Sequence, residues 1–138
     1  MVPVHASHVF QNDSVEAMID NIEPKSSHDS SIPRFTWWDH RGTTEWVEYG
    51  FAKPRKVSST AVYWFDDAPT GGCRAPQSWK VFYRVGESWL PVENPSSLMT
   101  QLDRYNIVTF TPVETTGLRI EAQLQPNYSA GILEWKVQ

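Results

Sequence analysis

The sequence predicts an all-β domain, an antiparallel β-sandwich or jelly roll of roughly eight short strands with one short N-terminal helix. Three observations lead there. Apolar residues recur with period two in segment after segment, seven glycines and ten prolines punctuate those segments, and nothing supplies the crossover helices that a parallel sheet needs. A chain of 138 residues has room for one domain with its own core.

The elements follow in order. Asp13-Ser14-Val15-Glu16-Ala17-Met18-Ile19 pairs a capping residue with a short apolar cluster and predicts one or two helical turns. Asp20 to Pro33 is polar, serine-rich and bracketed by prolines, which reads as a long surface loop. Loops of that length in a compact domain tend to be functional or mobile. Val47, Tyr49 and Phe51 then alternate with Glu48 and Gly50. Ala61, Tyr63 and Phe65 alternate with Val62 and Trp64, and Trp79, Val81, Tyr83 and Val85 with Lys80, Phe82 and Arg84. Each reads as a strand with one buried face. Residues 89–92, 105–110, 118–124 and 132–137 carry the remaining strand signals.

Composition narrows the function. The formal charge is -4, with scattered lysines and arginines, the opposite of a phosphate-tracking surface, so nucleic acid is not an expected partner. Cys73 is the single cysteine, which excludes an intrachain disulfide and the multi-cysteine zinc spacings. No run reaches the length of a membrane span, and residues 1–10 lack the order of a signal peptide.

Several anchors stand in a recognisable order. They are Ala6-Ser7, the short helix running into Asp20-Asn21, a tryptophan-bearing loop, Glu45 to Phe51, Lys56-Val57-Ser58-Ser59, Ser78 to Tyr83, Gly117-Leu118-Arg119-Ile120, and Gly131 to Val137. The series resembles the discoidin, or coagulation factor 5/8 type C, domain, whose bacterial members include the family 32 carbohydrate-binding modules. The runs Ser31 to His40 and Cys73 to Lys80 are similar to accessory modules of bacterial glycoside hydrolases such as the β-L-arabinofuranosidase-like enzymes.

The resemblance implies a galactose-binding-like jelly roll spanning 1–138, monomeric in isolation and cut from a longer, secreted, periplasmic or cell-surface glycoside hydrolase. It implies that ligands meet loops at one end of the sandwich. It also implies a structural calcium held by Asp20, Thr36 and Glu134, although the expected Asp-Gly is here Asp20-Asn21. Hard oxygen donors from separated segments suit that ion. The alternative is that Asp20 caps a turn and Glu134 makes a surface ion pair.

Glycan binding needs a flat aromatic surface and a few rigid polar groups. Three loops are expected to supply them at one end: Trp38-Asp39-His40-Arg41, Asp66 to Arg74, and Gln125 to Ser129. The candidate ligand residues are Trp38, Asp39, His40, Asp66, Asp67, Arg74, Asn127 and Tyr128. Adjacent residues of an extended chain point opposite ways, so Trp37 is expected inward and Trp38 outward. Trp46, Trp79, Trp89 and Trp135 are expected in the core. The bland readings are that Asp66-Asp67 is turn chemistry, that Arg74 caps its own loop, and that Tyr128 is core.

Adjacent Asp66 and Asp67 cannot flank a glycosidic bond as paired catalytic carboxylates do, and no nucleophile elbow or H-E-x-x-H run occurs. The expectation is therefore a non-catalytic carbohydrate-binding module, with a structural module packed on the catalytic domain as the alternative. Phospholipid recognition is disfavoured, because the loop from Asp66 to Arg74 offers Asp, Pro, Thr and Gly instead of large apolar spikes.

Overall fold

The computed structural model describes residues 3–138. Seven strands pair antiparallel: β1 (Val4–Ala6), β2 (Phe35–Thr36), β3 (Thr44–Phe65), β4 (Ser78–Val85), β5 (Ser88–Pro91), β6 (Asn106–Gln123) and β7 (Gly131–Val137). The order is β2-β7-β3-β6-β4-β5, with β1 on β3. No helix among the described residues is long and apolar enough to cross a membrane.

Two of the predicted strand pairs are in fact single long strands. Residues 47–51 and 61–65 belong to β3, and 105–110 and 118–124 overlap β6. Extended backbone persists through the polar stretch between them while the pairing slips, between Gly50 and Arg55 and again between Val57 and Ser59. These irregularities bend the ribbon. The first half of β3 pairs with β1 and with the second half of β6, which also carries β4. Its second half pairs with the first half of β6 and with β7, which carries β2. One hydrogen-bonded network thus folds over into two layers.

Aromatic contacts across the layers seal the fold. Tyr49 on the first half of β3 lies 5.6 Å, centroid to centroid, from Trp135 on β7, and Trp64 on the second half lies 5.4 Å from Trp79 on β4. Between them sit Val47, Val62, Val81, Leu118 and Ile120, all buried.

The helix has the expected length but is tighter, a 3-10 helix over Val15–Ile19 whose Ser14 makes no side-chain cap. Asp13 is drawn away to bond Thr36 and Arg34. The segment from Asp20 to Pro33 is also more than a surface loop. Tyr63, Phe65, Cys73 and Leu133 form a second apolar cluster on the outer side of β3 and β7, with Ile32, Trp38 and Tyr105 packed against it. Ser27 and Asp29 are buried there. Ser27 N–H donates to Asp103 Oδ1 at 2.8 Å, and Asp29 accepts from the N–H groups of Lys25 and Ser31.

Two expected core tryptophans face outward. Trp46 is half-buried with the Arg119 guanidinium 4.6 Å from its ring centroid. Inward Val47 and Tyr49 leave Trp46 on the opposite face of the strand. Trp89, cross-strand from Arg84, is half-buried on the same outer surface.

Candidate functional site

The three turns expected to carry a ligand do meet at one end of the sandwich. Strands β2, β4 and β7 each begin or end there, and backbone bonds knit the turns together. Arg74 N–H donates to Ser129 O, Ser129 N–H to Gly72 O, each at 2.9 Å, and Gly42 N–H to Tyr128 O at 3.1 Å. Gly42 holds a φ of +66 beside Pro126 and Asn127, a backbone conformation that favours glycine.

Trp37 and Trp38 part as an extended chain requires. Trp37 is fully buried, edge-on to Phe35, with its indole N–H donating to Trp46 O at 3.3 Å. Trp38 is half-buried. The edge of its ring abuts Gly72, where a Cβ would come within 2.3 Å of Cζ3, and the Arg41 guanidinium stands 4.5 Å from its centroid. The absent side chain of Gly72 is what lets the ring settle.

The same period of two extends further back. Arg34, Thr36 and Trp38, alternate residues of the chain running through β2, line an apical cavity of about 220 Å³ together with Asp13, Phe65, Asp67 and Gly72. Asp13 accepts from the Thr36 hydroxyl and sits 3.7 Å from Arg34, whose guanidinium rests 4.8 Å from the Phe65 centroid. Asp13 and Arg34 were not candidates from sequence. Carrying the alternation back from Trp38 by two and four residues is the signal that finds Thr36 and Arg34.

The remaining candidates divide. Asp67 Oδ1 accepts from Cys73 N–H at 2.8 Å and lies 3.7 Å from Arg74, leaving the carboxylate at the cavity wall. Asp66 is buried, and its oxygens accept from Ala68 N–H at 3.0 Å and Ala75 N–H at 3.4 Å. It braces the turn and is not open to ligand. Arg74 donates to Gly71 O and Cys73 O, both at 2.8 Å, with its guanidinium 4.3 Å from the Tyr128 centroid. One nitrogen of its fork, Nη1, is therefore committed to its own loop. His40 stacks on His8 at 3.8 Å, and its Nδ1 sits 3.0 Å from Oε2 of the buried Glu45. Asn127 holds a φ of 69 beside Gly42, and Asp39 is exposed.

Hydrogen bonds from Thr43, Ser7 and His40 hold the Glu45 carboxyl below its ordinary range, against the opposing and largest effect of its burial. Cys73 is no nucleophile, since burial first and the Asp67 charge second push its thiol up to about 12.

The expected calcium donors come only partly together. Glu134 is buried, one of its oxygens accepts from Asn21 N–H at 3.1 Å, and the other has no partner. Burial, followed by the Asp20 carboxyl beside it, pushes Glu134 up to about 8. A hard cation fits that pair and the orphaned oxygen. Thr36 lines the apical cavity instead, in alternation with Arg34 and Trp38. No group of three or more histidine, cysteine or acidic side chains among the described residues is arranged to hold a metal.

No family model matches the chain. Solved structures do. A chain from the Streptococcus pneumoniae β-galactosidase BgaA aligns over 99% of this chain and 91% of its own, with a TM-score of 0.85 at 22% identity. The family 32 carbohydrate-binding module of Clostridium perfringens NanJ, in complex with galactose, aligns over 97% and 90%, with a TM-score of 0.72 at 17% identity. A putative α-L-fucosidase from Bacteroides thetaiotaomicron matches over 97% of this chain but 26% of its own, with a TM-score of 0.71 at 20% identity. These likenesses establish the discoidin-like sandwich expected from the sequence. The neighbours include carbohydrate-binding modules.

Proposed function

We infer that this domain is a non-catalytic glycan-binding module that holds an attached glycoside hydrolase, outside the cell, on its substrate. The observation that carries this reading is the apical cavity, in which the Trp38 ring faces Asp13, Arg34 and Asp67. An aromatic wall takes the C–H face of a sugar ring, and a charged pair and a carboxylate address its hydroxyls. Fold likeness to modules such as that of NanJ supports the choice of ligand class. A cavity of about 220 Å³ covers little more than one sugar residue. The affinity for one residue is therefore expected at ~0.1 to 1 mM, with tethering supplying retention.

Titration of galactose into the labelled domain, followed by NMR, tests the reading. Trp38→Ala is expected to weaken binding at least tenfold, about 1.4 kcal/mol. Absence of shifts around Trp38 at tens of millimolar across a panel of monosaccharides would instead favour a structural module packed against a neighbouring domain.

A calcium ion held by Asp20 and Glu134 is proposed with it, on the strength of the unpartnered Glu134 oxygen. Millimolar calcium is expected to raise Tm, EDTA to reverse the rise, and Glu134→Gln to abolish the response. An unchanged Tm in all three conditions removes the ion from the account.

A further inference from the structure

Away from the loop end, the outer face of the β1-β3-β6-β4-β5 layer carries a groove of about 330 Å³, larger than the apical cavity. Register shows how it is built. On the outward side, Glu48 is cross-strand from His5 and Arg119, and the next outward positions along β3 and β6 are Gly50 and Gly117, themselves paired. Two facing glycines leave the sheet bare and form the floor. Beyond Gly117 stands the outward position of β4, Arg84, with its cross-strand partner Trp89 on β5.

Trp89 is the wall. Its Cη2 would lie 3.3 Å from a Cβ on Gly117, so the ring overhangs a strip of backbone. Pro3 and His5 form the opposite side. The Arg84 Nε–H donates to Gly86 O at 2.8 Å, which steers the guanidinium to 5.5 Å from the Trp89 centroid. Among the described residues Arg84 has no carboxylate partner, whereas Arg119 below it is held by Glu48 and Glu121. A half-buried aromatic ring, a flat floor and one uncompensated guanidinium fork make a site for a flat ligand carrying a carboxylate.

We propose that this groove is a second carbohydrate site, separate from the loop end, that takes an acidic sugar residue. The Trp89 ring receives the pyranose C–H face, Arg84 the uronate carboxylate, and Glu48 and His5 the ring hydroxyls. The volume sits at the small end of the range for ligand sites, enough for one residue of a chain that continues across the sheet. The loop site and this one lie at opposite ends of β3's first half, Thr44 to Gly50, about 20 Å at the rise of an extended strand. One polysaccharide or two neighbouring chains can then engage both, with a gain in retention.

The test is a titration of galacturonate, with galactose as the neutral control, into the isotope-labelled domain. Galacturonate is expected to shift the Trp89 indole and the Gly50 and Gly117 amides, in the parent and equally in Trp38→Ala, so that loss of the loop site leaves this one intact. Gly50→Val fills the floor, and its Cβ meets nothing closer than Pro3 O at 3.7 Å. It is expected to abolish those shifts with Tm unchanged. Arg84→Gln is expected to weaken galacturonate at least fivefold and leave the weaker galactose response unchanged. The proposal is overturned if galacturonate moves only the Trp38 loops, if the Trp89 shifts survive Gly50→Val, or if Arg84→Gln affects the acidic and neutral sugars alike.

Discussion

Trp38 and Trp89 are built from the same three parts and held in different ways. Each is a half-buried indole with its outer edge against a glycine and an arginine at one face: Gly72 and Arg41 for the first, Gly117 and Arg84 for the second. At the loop end the ring is pressed closely onto its glycine, 2.3 Å from a notional Cβ, and its guanidinium is 4.5 Å away. On the sheet the same distances are 3.3 Å and 5.5 Å. The loop site is thus assembled by turns that bond one another, and the sheet site rests on paired strands. What a substitution does should depend on which neighbour has to give way, the end of a side chain or a backbone fixed in register.

The largest effect lies beneath the loop end. Trp37 is wholly enclosed, and Trp37→Ala leaves a cavity that a two-layer core cannot close. A loss of about 3 to 5 kcal/mol is expected, read as a collapse of the thermal transition. Trp38→Ala, one residue along, should leave most of the Tm and remove the binding. If the two variants melt alike, Trp38 is core and the apical reading fails.

The glycines sharpen the contrast. A methyl on Gly72 meets only the far edge of the Trp38 ring, whereas a methyl on Gly117 meets Tyr49 O at 2.9 Å, an atom of a paired strand. Gly117→Ala is therefore expected to destabilise more, by about 1 to 3 kcal/mol, although its overlap is the shallower of the two. Gly72→Ala should tilt the ring and weaken galactose at least tenfold with a smaller fall in Tm. Equal melting temperatures would show that the loop is as rigid as the sheet.

Much of this was legible in the chain. The alternation through Trp79 and Val81 marks the inner face of β4, and the opposite orientations of Trp37 and Trp38 follow from extended geometry alone. The same rule applied one strand later would have turned Trp46 outward, since Val47 and Tyr49 point in. Size and apolarity alone put that ring in the core, and its stacking partner Arg119 lies 73 positions away in sequence. The unbroken runs of β3 and β6 were hidden by polar residues near the bend, where both faces meet water and no period marks the strand. Asp66 offered the reverse problem. As one of two adjacent carboxylates it looks like its neighbour Asp67, and only the path of the turn decides that it faces inward to N–H groups.

The smallest expected effect concerns the long loop that covers the outer cluster. Val62, Tyr63, Trp64 and Phe65 are apolar in succession, which demands cover on both sides of the strand, and the segment folded by Asp29 supplies it. The Ser31 hydroxyl and the N–H groups of Lys25 and Ser31 hold the Asp29 carboxyl down at about 2. A depressed carboxyl means that below its unfolded value, about 4, the unfolded chain binds the proton that the folded chain refuses. This contribution is therefore fully present above about pH 4 and lost as the pH falls toward 2. Asp29→Asn should lower Tm slightly at neutral pH and flatten the fall between pH 4 and 2, while the loop and sheet ligand sites keep their affinities at pH 7. A parallel acid limb in parent and variant would mean that protonation of Asp29 does not govern how the loop is held.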